Sequence, residues 1–304
     1  MNEIINKYIN KITCCDSLEA LKELPDNSIA TCITDPPYNY EFIGRNWDQE
    51  EIARRTKRAE ESSSILVKNI PYGSGLAGGV RNKRWYEKNR QNIVEYTKWI
   101  EAWGQELFRV LKPGGYILVF NSNRTVAHVQ VALENVGFYA RDIIIWKRNT
   151  GIPKGLNVSK KMQKIGDQNY EYWQNWNSAL YNMWEGIVML QKPLENNYIN
   201  TLNKYGVGVL NVKANGYFQT NIYDDIERDQ SLDFNTHITV KPLDLIERLV
   251  LLTTPIDEEN IVIDPFMGSG TTAVACLKNN IKFIGFEINP EYCEIGNKRL
   301  KGKK

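Results

Sequence analysis

Histidine is almost missing from this sequence, with two in 304 residues, and cysteine is sparse, with five. Cys14, Cys15, Cys32, Cys276 and Cys293 include no C-x-x-C pair, and two distant histidines complete no zinc-site spacing, so no metal centre is expected. Long apolar runs are lacking too. IIIW (143–146) and YILVF (116–120) are too short to cross a bilayer, so no membrane partner is expected. The opening MNEIINKYINKI has charged and amide residues where a signal peptide needs an apolar stretch, which points to a cytoplasmic location and reduced thiols. Nor is there an excess of either charge: 38 Lys+Arg against 36 Asp+Glu leave a net charge of +2. That balance excludes a uniformly basic protein and leaves room for a localised basic face. Core-forming residues are plentiful. Hydrophobic residues make up 42% of the chain and eight are Trp, which excludes a wholly disordered protein and suits one large domain or two modest ones.

Hydrophobic periodicity alternates between the two secondary-structure types. Ile12 to Cys14 reads as a strand, and Asp16 or Ser17 caps a helix carrying Leu18, Leu21 and Leu24 before Pro25 stops it. SIATCIT (28–34) reads as a buried strand that ends where Pro36 and Pro37 deny it further ladder donors. Tyr96, Ile100, Trp103, Leu107 and Val110 mark an amphipathic helix that stops at Lys112-Pro113-Gly114-Gly115. A strand (Tyr116 to Phe120), a helix (Val126 to Val136) and a strand (Tyr139 to Trp146) follow. Near the C-terminus come a helix over Lys241 to Leu252, a strand Ile261 to Asp264, a helix from Thr271, a strand over 281–287 and a helix from Pro290. Such alternation predicts an α/β fold, a doubly wound and mostly parallel sheet covered on both faces. Residues 39–92 and 151–236 interrupt it, the second rich in Tyr, Trp and Asn.

Asp264-Pro265-Phe266-Met267-Gly268-Ser269-Gly270-Thr271 joins a strand to a helix, the place where open α/β sheets bind ligands. The two glycines allow a ligand close to the backbone beside a helix N-terminus, although a tight connection would use them equally well. No Lys follows Gly270, so the loop is not a phosphate-binding P-loop, and Val274 stands where a nicotinamide fingerprint has its third small residue. Glu287 ends the next strand. A carboxylate there can accept hydrogen bonds from both hydroxyls of a ribose, or can simply cap the helix that follows.

Asp35-Pro36-Pro37-Tyr38 carries a second chemical signal. An exocyclic amine of adenine or cytosine is a poor nucleophile because its lone pair is delocalised into the ring. A carboxylate and a carbonyl that accept its two N–H bonds expose that lone pair, and Asp35 with the Pro36 carbonyl can supply both acceptors. The prolines hold the acceptors rigid, and Tyr38 offers a stacking face. A strand-ending turn with a solvated Asp is the other reading.

TDPPYN (34–39) together with DPFMGSGTT (264–272) resembles the DNA amino-methyltransferases that transfer a methyl group from S-adenosyl-L-methionine to adenine N6 or cytosine N4. The order of the two motifs resembles the permuted beta type of that family, and CDSLEALKELPDNSIATCITDPPY (15–38), LKPGGYILVF (111–120) and HITVKPLDLIERLV (237–250) resemble its segments. The resemblance implies a Rossmann-like methyltransferase fold: a catalytic half over 1–150, a target-recognition region over 151–236, and a cofactor half over 237–304. The glycines and length of 39–92 point to a mobile DNA-facing insertion within the first half. It implies that Gly268, Ser269, Gly270 and Thr271 line the methionine part of the cofactor, with Asp264 in the same loop and Phe266 packed beside it. Glu287 would hold the ribose, and Asp16 would approach the adenine end. His237, Thr239 and Lys241 would flank the methionine moiety, in a segment that reads His-Ile-Thr where the family usually reads His-Pro-Thr. Asp35 would face both cofactor and base. Adenine is the expected base, because cytosine-N4 members usually carry Ser before the prolines. Cytosine-N4 methylation and a non-catalytic nucleic-acid-binding protein of the same fold are the alternatives.

The expected partner is double-stranded DNA, and the resemblance also allows for a homodimer and a cognate restriction endonuclease. A flipped-out base needs phosphate contacts around it, and two runs suit them. Arg81, Lys83, Arg84, Lys88 and Arg90 form one; Lys147, Arg148, Lys154, Lys160, Lys161 and Lys164 form the other, with no acid between 143 and 166. Tyr170, Tyr172, Trp173, Trp176, Tyr181 and Trp184 could stack on bases, but their spacing favours a small core. Lys298, Arg299, Lys301, Lys303 and Lys304 read as a tail that suits a helix dipole and solubility.

Overall fold

The computed structural model describes residues 3–38, 83–152, 155–213, 216, 218–227, 240–257 and 259–302. In chain order the elements are α1 (Glu3–Tyr8), β1 (Lys11–Cys14), α2 (Ser17–Glu23), β2 (Ile29–Thr34), α3 (Lys83–Val110), β3 (Leu111–Asn121), α4 (Val126–Val136) and β4 (Tyr139–Ile152). Then come α5 (Val158–Lys164), a 3-10 turn (Gln168–Glu171), β5 (Asn182–Gln191), α6 (Tyr198–Tyr205), β6 (Ile222–Tyr223), α7 (Leu243–Thr253), β7 (Ile261–Asp264), α8 (Thr271–Lys278), β8 (Lys282–Glu287) and α9 (Pro290–Lys301).

Among the described residues eight strands form one sheet, ordered β1-β8-β7-β2-β3-β5-β4-β6. The run from β1 to β3 is parallel throughout, and β5 is antiparallel to β3. Every residue of β2 and of β7 is buried, as expected of central parallel strands covered on both faces. Helix α7 packs on β2 and α8, burying Leu245, Ile246, Leu249, Val250 and Leu252. Each such side chain stabilises the fold by about 1.5–3 kcal/mol, which is why this stripe of spacing three and four specifies the helix.

The parallel register aligns strand ends. Cys32 pairs with Ile263, Asp264 with Gly285, and Thr34 with Val119, so β2, β3, β7 and β8 all finish at one edge of the sheet.

Several elements differ from the expected boundaries. The helix expected to carry Tyr96 already begins at Lys83. Lys112-Pro113-Gly114-Gly115 lies inside β3 as a bulge rather than as a break before it, since Ile29 pairs with Leu111 but Thr31 with Tyr116. Gly114 is needed there: its φ is +81°, and a Cβ would come within 2.8 Å of the Thr201 side chain.

The chain divides into two compact units. Among the described residues one contains 3–38, 96–147 and 185–302, and the other contains 83–95 and 148–184. The stretch 151–236 contributes to both units, with its described residues up to 184 in the second and the rest in the first. Residues from 185 onward supply most of β5, all of α6 and β6, and belong with the sheet because β5 hydrogen-bonds along β3. In the second unit α5 packs on the 3-10 turn, capped by Asn157 and Asp167 respectively, and neither element buries a side chain. No helix among the described residues is long and apolar enough to cross a membrane.

Candidate active site

Asp35 leaves the end of β2 beside the end of β7. The main chain after it is held in place: Tyr96 donates its hydroxyl to the Pro37 carbonyl at 2.9 Å, and Thr125 donates to the Tyr38 carbonyl at 3.3 Å. Asn121, at the end of β3, donates to the Tyr96 hydroxyl at 2.7 Å and accepts from Thr125. Two prolines remove donors, and three side chains from α3, β3 and the turn before α4 hold the Pro37 and Tyr38 carbonyls. Tyr96, Asn121 and Thr125 carried no motif in the sequence. The polar residues among apolar neighbours at the end of YILVFN were the only hint.

The side chains of Asp35 and Tyr38 meet a charged cluster. Lys241 donates to Asp35 Oδ2, and its Nζ lies 3.6 Å from Glu185 Oε2. Tyr38 donates its hydroxyl to the same Glu185 oxygen at 3.1 Å. The ammonium sits 5.3 Å from the Tyr38 ring centre and 5.2 Å from that of Phe120, and the Lys241 side chain is only 8% exposed. Burial alone would lower the Lys241 pKa, but Asp35 and Glu185 outweigh it and raise it, so the amine stays charged. Burial, followed by the charges of Asp35 and Glu185, pushes the Tyr38 hydroxyl well above its ordinary value and keeps it a donor. Asp35 Oδ1 is buried and has no hydrogen-bond partner among the described residues.

The glycine loop lies between β7 and α8, on the strand next to β2. Asp264 anchors it: Thr34 and Thr272 donate to its two oxygens at 2.7 Å each, and the Phe266 amide donates at 3.1 Å. Those bonds partly offset burial, which nonetheless pushes the Asp264 carboxyl up to about 7. Its oxygens thus tie the end of β2, the loop and the start of α8 together. Glu287 is placed as expected, at the end of β8. It accepts from the Gly268 amide at 2.7 Å and from the Asn289 amide at 2.8 Å, and burial raises its pKa against those bonds and that of the Ile288 amide. Asp16, one strand further on, caps α2 by accepting from the amides of Leu18 and Glu19. Cys14 pairs with Glu287, which brings Asp16 to the same sheet edge.

Gly270 has a φ of +85°, and a Cβ there would lie 3.2 Å from the Gly296 backbone, so its glycine is required by the packing of α9. Arg299 on α9 donates to the Ser269 carbonyl at 2.7 Å and to the Thr271 hydroxyl at 3.2 Å. The reading of Arg299 as part of a solubility tail is thereby corrected. Phe266 sits against Trp99 and Trp103, at ring-centre distances of 5.3 and 5.7 Å.

His237, Thr239, Arg81 and Lys154 lie outside the described residues, and Lys83 and Arg84 open α3. Lys160 and Lys161 are exposed on α5, and Lys147 is an exposed cation 3.9 Å from Asp224. Arg148 corrects the expected basic surface: it is 5% exposed and donates to the Asn182 carbonyl inside the protein. The expected aromatic core is also corrected. Trp173 stands edge-on to both Tyr172 and Trp176, yet Tyr172 is 77% and Trp176 59% exposed.

A glycine loop and a proline-flanked acid lie at the ends of adjacent parallel strands of one α/β sheet. The chain belongs to the DNA methylase family, whose model matches residues 29–298. It is 32% identical over 302 residues to the type II methyltransferase M.HindIII of Haemophilus influenzae, covering 94% of this chain and 93% of that protein. It is 27% identical to the type II methyltransferase M.HpaI of Haemophilus parainfluenzae, covering 95% and 74%. Two solved structures share the fold. M1.HpyAVI in complex with SAM superposes with a TM-score of 0.55 at 21% identity, covering 95% of this chain and 98% of that one. The cytosine-N4-specific PvuII DNA methyltransferase superposes with a TM-score of 0.59 at 16% identity, covering 96% and 88%.

Proposed function

We propose that this protein transfers the methyl group of S-adenosyl-L-methionine to the exocyclic N6 of a flipped-out adenine in double-stranded DNA, at a specific site. One observation carries the reading: the buried Asp35 Oδ1, without a partner among the described residues, on a main chain held by Tyr96 and Thr125. The residues beside it fit the cofactor. Glu287 is a buried carboxylate at a strand end, bonded to the glycine loop and suited to a ribose diol, and Gly268, Ser269 and Gly270 leave a methionine tail close access to the backbone.

When bound, the cofactor supplies an electrophilic methyl carbon on a sulfonium sulfur, which keeps the C–S electron pair as the carbon moves. Asp35 accepts one N–H of the base amine and the Pro36 carbonyl accepts the other, concentrating the lone pair on nitrogen. After transfer the nitrogen carries positive charge and an extra proton, and Asp35 is the base placed to accept it. Flipping the base costs about a few kcal/mol. Lys160 and Lys161, with exposed Tyr172 and Trp176, are the groups of the second unit suited to offset that cost through phosphate contacts and stacking.

The PvuII enzyme shares the fold and is cytosine-N4-specific, so the fold leaves the base open. Asp35 rather than Ser before the prolines favours adenine. The test is to incubate unmethylated DNA with the protein and S-adenosyl-L-methionine, digest to nucleosides and weigh the products. N6-methyladenine is expected; N4-methylcytosine would reassign the base, and no methylated nucleoside would overturn the reading.

A further inference from the structure

Glu185 lies in no motif, yet it touches two groups of the site. Gly186 pairs with Asn121 in the antiparallel ladder between β5 and β3, so Glu185 enters the site edge from the N-terminal half of a strand. The parallel strands β8, β7, β2 and β3 reach that edge with their C-terminal ends. At that position Glu185 Oε2 accepts from the Tyr38 hydroxyl at 3.1 Å and lies 3.6 Å from the Lys241 ammonium, which also binds Asp35.

We infer that Glu185 is a positioning residue for methyl transfer: it shares the Lys241 ammonium with Asp35, leaving Asp35 available to the base amine, and orients Tyr38 through the same oxygen. The inference rests on the reading of Asp35 as the acceptor of that amine. The charge balance supports it. Asp35 and Lys241 alone would form a neutral pair, and a buried ammonium with a single anionic partner would compete with the amine for Asp35. Adding Glu185 gives two carboxylates to one ammonium. The cluster keeps one net negative charge where the amine nitrogen becomes positive, and a preorganised charge in a water-poor site stabilises that change. Lys241 is in turn held against the rings of Tyr38 and Phe120, so it cannot leave for solvent without losing both.

Glu185→Gln keeps the shape and an acceptor for Tyr38 but removes the charge. Methyl transfer from tritiated S-adenosyl-L-methionine to unmethylated DNA should show kcat reduced about 10-fold or more, with KM for DNA and calorimetric cofactor affinity within about threefold of the parent chain. Glu185→Asp should recover part of the lost kcat. Unchanged kcat in Glu185→Gln, or an equal loss of cofactor affinity and kcat, would overturn the inference. If Glu185→Gln does not fold, Glu185→Asp decides: its shortened carboxylate should lower kcat at unchanged KM, and parental kcat would refute the role. An unmodified chain that methylates no DNA would refute the underlying reading of Asp35, and the role of Glu185 with it.

Discussion

Arg299 donates to the Ser269 carbonyl at 2.7 Å, so the last helix clamps the loop expected to hold the cofactor. The same guanidinium reaches the Thr271 hydroxyl at 3.2 Å, spanning both sides of Gly270. Arg299→Met should therefore weaken cofactor binding more than it weakens the chemical step. Charged hydrogen bonds contribute about 1.5–3 kcal/mol, which corresponds to roughly a 10-fold or larger rise in Kd. Titration calorimetry with S-adenosyl-L-methionine measures it, and an unchanged Kd would show that the clamp is dispensable.

Much of this arrangement was legible in the sequence because strand ends announce themselves. Pro36 and Pro37 stop β2, and Gly268 and Gly270 open the turn after β7, so both halves of the site carry turn chemistry that a pattern can find. Residues recruited from elsewhere were not legible. Tyr96 bonds Pro37 across 59 positions, and Glu185 bonds Tyr38 across 147. Both depend on which strands neighbour one another, and β5 reverses the direction assumed for the rest. Arg148 and Arg299 were misread for a similar reason. Charge runs identify cations, but burial and partners distinguish a structural arginine from a phosphate contact or a solvated tail.

Asp35→Asn should abolish methyl transfer while leaving cofactor binding largely intact. The amide keeps the volume but offers an N–H₂ group where the base amine needs an acceptor, and it removes half of the anionic surroundings of Lys241. A loss of about 100-fold or more in kcat is expected from removing an acceptor that acts in the transition state. Rates near those of the parent chain, measured by tritiated methyl transfer, would exclude Asp35 from the chemistry.

Gly270→Ala tests the packing of loop on helix. Its φ of +85° strains any L side chain, and the new Cβ would meet Ile12 Cδ1 at 2.9 Å and the Gly296 backbone at 3.2 Å. Strain and overpacking together should cost about 1–3 kcal/mol of unfolding free energy. Urea unfolding measures this directly, and a loss below about 0.5 kcal/mol would mean that the loop adjusts freely.

Replacing Lys160 and Lys161 together by Ala examines the proposed DNA face of the second unit. Both are exposed on α5, whose last turn also holds Lys164. If both contact phosphate, the slope of log K against log salt should fall in magnitude by about 1.8, since each released counterion contributes about 0.9. Cofactor affinity should not change. A salt slope equal to that of the parent chain would remove α5 from the DNA interface.

Asp264 makes stability depend on pH in a direction opposite to that of a salt-bridged acid. Burial first, opposed by bonds from Thr272, Thr34 and the Phe266 amide, raises its carboxyl from 3.8 to about 7. Between those values the folded chain holds a proton that the unfolded chain has released. The stability from this group is therefore fully present below the unfolded value and is lost as pH rises through the folded one, at up to about 1.4 kcal/mol per pH unit. Asp264→Asn cannot release that proton. Its unfolding free energy, measured in urea from pH 4 to pH 8, should fall less steeply than that of the parent chain, even if its absolute value is lower for want of one acceptor. Parallel pH profiles for the two proteins would mean that the Asp264 carboxyl titrates alike in the folded and unfolded chains, with the three donors around it balancing its burial.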